Sequence, residues 1–283
     1  MQTINSVAEM QQTVLAARAA GQRIAFVPTM GFLHQGHLSL LEEGRKRGDL
    51  LVLSIFVNPA QFGQGEDFED YPRDLQRDSE LAESVDVDLI FAPSAAEMYP
   101  KGYLTYVDVE GITTTLCGAS RPGHFRGVST VVNKLFNIVQ PHVALFGNKD
   151  FQQLAVIRQM TVDLNMPVEI VGMPIFREAD GLAMSSRNVY LSAEQRQQAL
   201  VLSQAIAEAQ RMVIAGQTDV AKIIQNLKAM IAEKQAARID YIKICHQLSL
   251  ADQVNADEDS VLLLAVFFGK TRLIDNSYLI KAR

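Results

Sequence analysis

The sequence has few cysteines, glycines and prolines and no long hydrophobic run, and each shortage excludes a class of protein. The 283 residues include 17 glycines and 9 prolines, too few for a fibrous or low-complexity chain. There are only two cysteines, Cys117 and Cys245, so we expect neither a disulfide framework nor a cysteine-rich zinc site. The longest apolar run, residues 261–268, is far shorter than the roughly 20 residues of a membrane-spanning helix.

The sequence also lacks a basic segment and a secretory signal. Its 26 Lys and Arg against 32 Asp and Glu give a net charge of −6, so no general attraction to nucleic acid or anionic membranes is expected. The first ten residues carry neither a basic cluster nor an apolar stretch, so we expect no signal peptide and a cytoplasmic protein. With 48% hydrophobic and 20% charged residues, the composition is typical of globular chains, and the length favours about two domains.

Strand-like and helix-like segments alternate along residues 1–175. Short apolar runs predict strands at residues 24–27, 50–57, 87–91, 143–146 and 168–171. Apolar residues at helical spacing predict helices over residues 6–20, 37–46, 72–84, 127–140 and 151–164. The alternation predicts an α/β fold in which a Rossmann-like, doubly wound parallel sheet carries helices on both faces.

The pattern changes after residue 176. A polar segment precedes a Ser-x-x-Gln capping-box spacing at Ser192, from which one long helix is expected to run to about Gly216. The remaining segments predict a helix over 220–231 and strands at 239–244, 261–268 and 272–274. We therefore expect a first domain of residues 1–176 and a smaller α/β domain of residues 177–283.

The segment Pro28-Thr-Met-Gly-Phe-Leu-His-Gln-Gly-His37 joins the end of a predicted strand to the start of a helix. Ligands bind at such strand ends in open parallel sheets, and the N–H groups of a helix N-terminus suit phosphate. Gly31 and Gly36 let the backbone approach a ligand closely. His34 and His37, three positions apart, are expected to share a helical face and to donate hydrogen bonds to the same anion.

Other interpretations of this segment compete. The two glycines have P-loop spacing, but His37 and Leu38 stand where Lys and Ser or Thr are required, and no Gly-x-Gly-x-x-Gly fingerprint occurs in the sequence. A zinc site would need further ligands, and neither a His-Glu-x-x-His motif nor a cysteine pair is near. A turn with a purely structural role remains an alternative.

A second candidate phosphate-binding segment is Met184-Ser-Ser-Arg187. Two hydroxyls and a guanidinium can hold phosphate oxygens, although ordinary polar loops contain the same residues. Together with the His-x-Gly-His at 34–37, this segment resembles the signature pair of the nucleotidyltransferase superfamily that includes class I aminoacyl-tRNA synthetases. In that superfamily the two segments hold the triphosphate of ATP.

Three further segments narrow the resemblance. They are Phe56-Val-Asn-Pro-Ala-Gln-Phe62, Ser120-Arg-Pro-Gly-His-Phe-Arg-Gly127 and Phe146-Gly-Asn-Lys-Asp-Phe-Gln-Gln153. All five segments, in this order and spacing, closely resemble the pantoate–β-alanine ligase (pantothenate synthetase) family. In that family ATP and pantoate give pantoyl adenylate and pyrophosphate, and the amine of β-alanine then displaces AMP to give pantothenate.

The resemblance implies an ATP site made of three segments and one further residue. Phe176 has the position of a residue whose backbone meets the adenine. Asn148 stands where the family pattern has Glu, a change that a backbone role tolerates. The implied ATP-binding residues are Met30, Gly31, Phe32, Leu33, His34, Gln35, Gly36, His37, Gly147, Asn148, Lys149, Asp150, Phe176, Met184, Ser185, Ser186 and Arg187.

The resemblance also implies catalytic and substrate-binding residues. His37 takes the place of the proton donor, and the candidate catalytic residues are His37, His34, Lys149 and Arg187. The substrate-binding candidates are Gln61 and Gln153, which match residues that hold pantoate, and Asn58 in the same pocket wall; Gln61 also borders the β-alanine site. Amides suit a substrate that has two hydroxyls and a carboxylate. Asp78 is the one candidate protein contact for Mg²⁺, which the ATP phosphates would mainly hold.

The resemblance further implies how the chain is organised. Residues 1–176 would bind ATP and pantoate, and residues 177–283 would act as a lid over the active site. The implied partners are ATP, pantoate, β-alanine and a second copy of the chain in a homodimer, with no nucleic acid or membrane.

Other functions compete with the one that the resemblance implies. A different small-molecule nucleotidyltransferase would stop after forming a nucleotidyl product, and a nucleotide-binding sensor would bind ATP without turnover. An aminoacyl-tRNA synthetase is disfavoured because the chain has no basic surface signature for tRNA and no recognisable anticodon domain.

Overall fold

The five apolar runs of the first 175 residues, together with the unpredicted residues 2–4, form a six-stranded parallel sheet in the computed structural model, which describes residues 1–280. The strands are β1 (Gln2–Ile4), β2 (Ile24–Thr29), β3 (Leu50–Ile55), β4 (Leu89–Phe91), β5 (Val143–Gly147) and β6 (Glu169–Met173). Their order across the sheet is β1-β4-β3-β2-β5-β6. The strand order reverses between β2 and β5, and the crevice at the carboxyl ends of two such strands is where ligands bind in this kind of sheet.

Helices cover both faces of this sheet because alternate strand residues point to opposite sides. The helices of the first 175 residues are α1 (Val7–Ala19), α2 (Gln35–Arg47), α3 (Leu75–Glu83), α4 (Ala95–Met98), α5 (Cys117–Ser120), α6 (His124–Val139) and α7 (Phe151–Asp163). On one face, Ala25 and Val27 of β2 pack with Leu41 of α2. On the other face, Phe26 of β2 meets the ring of Phe136 in α6 edge-on.

The later part of the chain forms a separate three-stranded antiparallel sheet with its own core. Its strands are β7 (Ala237–His246), β8 (Ser260–Phe268) and β9 (Thr271–Tyr278), and its helices are α8 (Ala193–Ala199), α9 (Val201–Ile214) and α10 (Val220–Ala232). Ile223 and Leu227 of α10 are fully buried in one cluster with Leu262 of β8. The predicted fold class, a doubly wound parallel sheet with a smaller α/β domain, is confirmed.

Internal contacts divide the described chain into two units. The first contains Met1–Thr114, Arg121–Asn148 and Gln153–Pro174, and the second contains Thr115–Ser120, Lys149–Gln152 and the chain from Ile175 onward. Within residues 1–280, no helix combines the length and the apolar character needed to cross a membrane.

Most predicted elements differ from the structure by a few residues at their ends, and two differences have a clear physical basis. The strand expected to end before Pro28 continues to Thr29, with Pro28 paired to Ser54 of β3. A proline is tolerated there because the β2–β5 pairing reaches only Phe26, so its missing N–H breaks no ladder on that side. The single long helix expected after Ser192 is two helices, α8 and α9, which meet at Leu200.

Candidate active site

The turn between β2 and α2 has a backbone that few residues adopt. Gly31 and Phe32 are consecutive left-handed residues, with φ of +85° and +52°. A Cβ on Gly31 would lie 2.9 Å from Oδ2 of Asp78 and 3.0 Å from Cγ2 of Ile55. Glycine is therefore required at position 31 both for its dihedral angle and for space.

Asp78, on the first turn of α3, holds this turn in place. Its carboxylate accepts hydrogen bonds from the backbone N–H groups of Phe32 at 2.7 Å and Leu33 at 2.6 Å. The Asp78 side chain is 1% exposed, and burial raises its pKa although these two hydrogen bonds lower it. Asp78 thus fixes the backbone of the first implied ATP segment, and its contact with Mg²⁺ stays a prediction.

His34 and His37 use one nitrogen each to finish the N-terminus of α2. Nδ1 of His34 accepts from the N–H of Gly36 at 3.1 Å, and Nδ1 of His37 accepts from the N–H of His34 at 3.3 Å. In a neutral imidazole, a nitrogen that accepts a hydrogen bond carries no proton, so the proton of each ring lies on Nε2. Both rings therefore have an Nε2–H donor.

The two imidazoles lie together in a way that differs from the prediction. His34 is the N-cap of α2, with φ of −143° and ψ of 174°, and therefore lies outside the helix rather than on a helical face with His37. The rings nevertheless stack, with centroids 4.0 Å apart and planes inclined by 30°. A capping arrangement in which histidine replaces the usual Ser and Glu has no standard sequence signal.

The second implied ATP segment begins where β5 ends. Gly147 is the last residue of β5, a strand that pairs directly with β2 in the sheet, and Asn148 follows it. The side-chain oxygen of Asn148 lies against the backbone of Gly172 in β6, where a Cβ would overlap it. The Gly147 end of β5 and the histidine turn after β2 are thus the ends of neighbouring strands. Lys149 and Asp150 complete a short 3-10 turn and belong to the second unit.

Asn58 and Gln61 form a buried amide pair beyond the end of β3. They are 1% and 9% exposed, and Nδ2 of Asn58 donates to Oε1 of Gln61 at 3.1 Å. Oδ1 of Asn58 accepts from the hydroxyl of Tyr99 at 2.8 Å. Nε2 of Gln61 lies 3.1 Å from the sulfur of Met30, so this amide pair and the histidine turn are contiguous. Tyr99 was not predicted as a site residue because no motif of the sequence contains it.

Gln153 lies on α7, half-buried, five residues after Asn148. Its assignment to pantoate stays a prediction, as do the assignments of Asn58 and Gln61. Within residues 1–280, no three His, Cys, Asp or Glu side chains come together as a metal site.

In the second unit a short hairpin brings Phe176 to the Met184–Arg187 segment. The N–H of Met184 donates to the carbonyl of Phe176 at 3.0 Å, and Gly181 makes the turn with φ of +93°. Ser185 then caps a 3-10 turn, Ser186–Tyr190, by accepting from the N–H of Arg187 at 3.3 Å. The residue implied to meet adenine and the segment implied to meet phosphate are therefore hydrogen-bonded to each other.

Four charged residues that the sequence motifs did not single out support this hairpin. Arg177 donates to both carboxylate oxygens of Asp275, at 2.7 and 2.9 Å, and Asp275 is 1% exposed. Glu178 accepts from Nδ2 of Asn188 at 2.6 Å and from Arg196 at 2.6 Å. These partners come from distant parts of the second unit, so only the fold reveals them.

Comparisons with known proteins identify the family. The family model described as pantoate-beta-alanine ligase matches residues 2–278. The chain is 61% identical to each of the pantothenate synthetases of Syntrophotalea carbinolica and Geotalea daltonii, over 99% of this chain and 99% of theirs.

Solved structures agree with the sequence comparisons. The pantothenate synthetase of Thermus thermophilus matches with a TM-score of 0.93 and 46% identity, over 99% of this chain and 100% of that chain. The pantoate-beta-alanine ligase of Francisella tularensis, complexed with beta-gamma ATP and β-alanine, matches with a TM-score of 0.81 and 32% identity, over 100% and 99% of the two chains. The chain therefore belongs to the pantoate–β-alanine ligase family.

Proposed function

We infer that the protein is a ligase of pantothenate biosynthesis that uses ATP to join (R)-pantoate to β-alanine and releases AMP and pyrophosphate. The observation that carries this inference is the match of the pantoate-beta-alanine ligase family model to residues 2–278. The Francisella relative, whose crystals hold an ATP compound and β-alanine, supports the same substrates.

The reaction passes through pantoyl adenylate. An oxygen of the pantoate carboxylate attacks the α-phosphorus of ATP, and the bond to pyrophosphate breaks. The amine of β-alanine then attacks the acyl carbon, and AMP leaves with the electron pair of the broken bond. Neither step needs a covalent enzyme nucleophile, so positioning and charge stabilisation supply the catalysis.

His34 and His37 stabilise charge in the adenylation step. Each ring uses Nδ1 for the cap of α2 and keeps a donor on Nε2. The Nε2–H groups donate to phosphate oxygens whose negative charge grows as pyrophosphate leaves. A donor whose hydrogen bond strengthens towards the transition state lowers the barrier rather than only binding ATP.

The remaining ATP contacts come from backbone and cations. Residues 30–33 and Gly147 present main chain at the ends of the neighbouring strands β2 and β5. Lys149 brings a compact cation to the phosphates, and Arg187 brings a planar fork of donors. Phe176 meets the adenine through its backbone.

Pantoate is held by Gln61 and Gln153, with Asn58 behind Gln61. Each amide both donates and accepts, as the two hydroxyls and the carboxylate of pantoate require. The Asn58 contact fixes which end of the Gln61 amide faces the substrate, since Oε1 already accepts from Asn58.

Residues 177–283 act as a lid over the active site when ATP is bound. Some of the implied ATP-binding residues belong to the first unit and the others to the second. Closure of a lid over the adenylate would keep water from the reactive acyl phosphate.

Mg²⁺ would accompany ATP and would be held mainly by the phosphates. Residues 1–280 form no cage of three or more acidic, histidine or cysteine ligands, and Mg²⁺ commonly takes only one or two carboxylates from the protein. Asp78 is the single candidate ligand.

The protein acts as a cytoplasmic homodimer.

Exchange of labelled pyrophosphate into ATP tests the function. Pantoate and ATP without β-alanine are expected to support exchange, because carboxyl activation precedes attack by the amine. All three substrates together are expected to give pantothenate and AMP in equal amounts. Exchange that strictly requires β-alanine would contradict the adenylate mechanism. If exchange occurs but the three substrates together give no pantothenate, the protein is instead a transferase that stops at the nucleotidyl product.

A further inference from the structure

The segment at residues 121–127 carries part of the family resemblance but has no role in the reaction described above. In the structure its side chains converge on the main chain of Gln61. Nδ1 of His124 lies 2.8 Å from the carbonyl oxygen of Gln61, and Nη2 of Arg121 lies 3.4 Å from the same oxygen. Two side chains of one segment therefore meet one backbone oxygen of the residue assigned to pantoate.

The donors and acceptors of this contact fit only one protonation pattern of a neutral His124. A carbonyl oxygen only accepts, so Nδ1 of His124 donates to Gln61 and Nε2 carries the lone pair. Nη1 of Arg121, which only donates, lies 3.1 Å from that Nε2. The hydrogen bonds thus run from Arg121 to His124 and from His124 to Gln61, with each donor facing an acceptor.

Glu66 fixes the orientation of Arg121. The guanidinium donates to both carboxylate oxygens, each at 2.6 Å, and the two side chains are only 17% and 24% exposed. Burial, the largest single influence, raises the pKa of Glu66, but the hydrogen bonds and charge of Arg121, together with a backbone hydrogen bond at Gly63 and the nearby His124, lower the pKa overall. Arg121 therefore cannot turn away from His124 without breaking two charge-assisted hydrogen bonds.

The backbone of α6 also contacts this turn. A Cβ on Gly127 would overlap the carbonyl of Ala60, so helix and turn are in direct backbone contact. The carbonyl of Gly127 also accepts from Nδ2 of Asn58 at 3.1 Å. The main chain of Gln61 is thus held by the first turn of α6, through the backbone of Gly127 and through the side chain of His124.

We propose that Arg121 and His124, anchored by Glu66, are positioning residues that set the main chain of Gln61 and through it the pantoate site. This inference rests on the proposed assignment of Gln61 to pantoate. Neither side chain needs to touch substrate. Their loss should therefore weaken pantoate binding and leave ATP binding largely unchanged.

Steady-state kinetics of His124→Phe and Arg121→Lys test the proposal. The His124→Phe variant keeps an aromatic ring but loses the donor to Gln61. The Arg121→Lys variant keeps the positive charge but loses the two-pronged guanidinium contact with Glu66. Each is expected to raise the KM for pantoate about ten-fold and to change the KM for ATP less than about two-fold. His124→Asn places an amide donor where Nδ1 stood. Its KM for pantoate is therefore expected to be close to the wild-type value.

A matched control is Arg45→Lys. Arg45 also binds a carboxylate, that of Asp88 at 2.6 Å. This pair lies where β4 begins, at the amino-terminal ends of the parallel strands and not at the carboxyl ends that carry the candidate site. Loss of that pair is expected to lower the melting temperature without changing the KM for pantoate. An equal rise of pantoate KM in Arg45→Lys would reduce the effect to general instability and overturn the inference.

Two further variants keep the outcomes distinct. Glu66→Gln, the milder change, is expected to raise the pantoate KM about two- to five-fold, and added to His124→Phe it should have little further effect because the three residues act in series. If the effects of the two substitutions on the pantoate KM were additive, Glu66 would not act through His124, and this part of the inference would be overturned. If Gln61→Ala raises the pantoate KM and His124→Phe does not, only this inference fails. If Gln61→Ala leaves it unchanged, the assignment of Gln61 fails and this inference with it.

Discussion

At the scale of single residues, His37 has two tasks on two different atoms. Nδ1 accepts the N–H of His34 and so closes the N-terminus of α2. Nε2 carries the proton that the proposed mechanism gives to ATP. A substitution that removes the whole ring would abolish both tasks and would not separate stability from catalysis.

Asparagine at position 37 can separate the two tasks. Its Oδ1 can stand where Nδ1 stood and accept from His34, whereas nothing replaces the Nε2–H donor. We expect His37→Asn to melt close to wild type and to lower the single-turnover rate of pantoyl adenylate formation about 10²–10³-fold, as for loss of one transition-state donor. The KM for ATP should change little.

His37→Ala is the comparison for this variant. It should lose the same rate and, in addition, several degrees of melting temperature through loss of the cap. An asparagine variant that adenylates at the wild-type rate would remove His37 from the chemistry and leave it only the structural role that its sequence context also allows.

Sequence reasoning could identify the histidine pair but not the atoms that each ring uses. Gly31, Gly36 and the two histidines stand at a strand-to-helix junction, and that junction predicts a phosphate site. The N-cap position of His34 depends on a backbone turn that Asp78 fixes from another helix. No spacing within residues 28–37 contains that information.

At the scale of elements, the turn between β2 and α2 depends on α3. Two consecutive left-handed residues are unfavourable for an isolated chain, and Phe32 has a side chain that this conformation disfavours. The buried carboxylate of Asp78 compensates by accepting two backbone N–H groups. The position of α3 therefore decides the shape of the first ATP segment.

Asp78→Asn tests this dependence. The amide oxygen can accept one of the two N–H groups, but the amide nitrogen faces the other and leaves it unpaired at a cost of about 1–3 kcal/mol. We expect a lower melting temperature and a KM for ATP raised about ten-fold, with a smaller change in the KM for pantoate.

Asp88→Asn is the matched control. Asp88 also accepts a hydrogen bond from a backbone N–H, that of Leu51 at 2.7 Å, but at the amino-terminal ends of the strands. It should lose stability and keep its ATP KM. A magnesium titration distinguishes this structural role from the Mg²⁺ contact predicted from the sequence. If Asp78→Asn folds normally but needs more Mg²⁺ for activity, Asp78 contacts the metal and does not mainly stabilise the turn.

The elements themselves were predictable where burial follows a simple period. Val128, Val131 and Leu135 lie on the buried face of α6, as their spacing predicts. The three-residue strand β1 has too few residues to show a period. The break at Leu200 also escaped prediction because both helices that meet there keep the apolar pattern of one.

At the scale of the whole molecule, both units contain carboxylates with lowered pKa values. In the first unit, Arg121 lowers the pKa of Glu66 against the effect of burial. In the second unit, the backbone of Leu182 and the side chain of Arg196 do the same for Asp180. Asp78 is the opposite case, because burial raises its pKa. The chain therefore combines groups with opposite contributions to acid stability.

The sign of each contribution follows from proton linkage. A carboxylate with a lowered pKa in the folded state contributes stability that is present above its unfolded value and is lost as the pH falls through the folded value. For Glu66 the loss begins below about 4.5, the ordinary pKa value for glutamate. A carboxylate with a raised pKa, such as Asp78, contributes stability that is present below its unfolded value and is lost as the pH rises.

Glu66→Gln and Asp78→Asn should therefore differ from wild type in opposite ways as the pH changes. At pH 7, Glu66→Gln is expected to lower the free energy of unfolding by about 1 kcal/mol, since its ion pair is partly exposed, and this difference should shrink as urea melts are repeated at lower pH, from about 5 to about 3. For Asp78→Asn the difference from wild type should instead grow over the same range, because protonated Asp78 no longer carries a buried charge. A Glu66→Gln difference that stays constant over the whole range would mean that the Arg121 pair stabilises the fold by contact alone and not through the charge of Glu66.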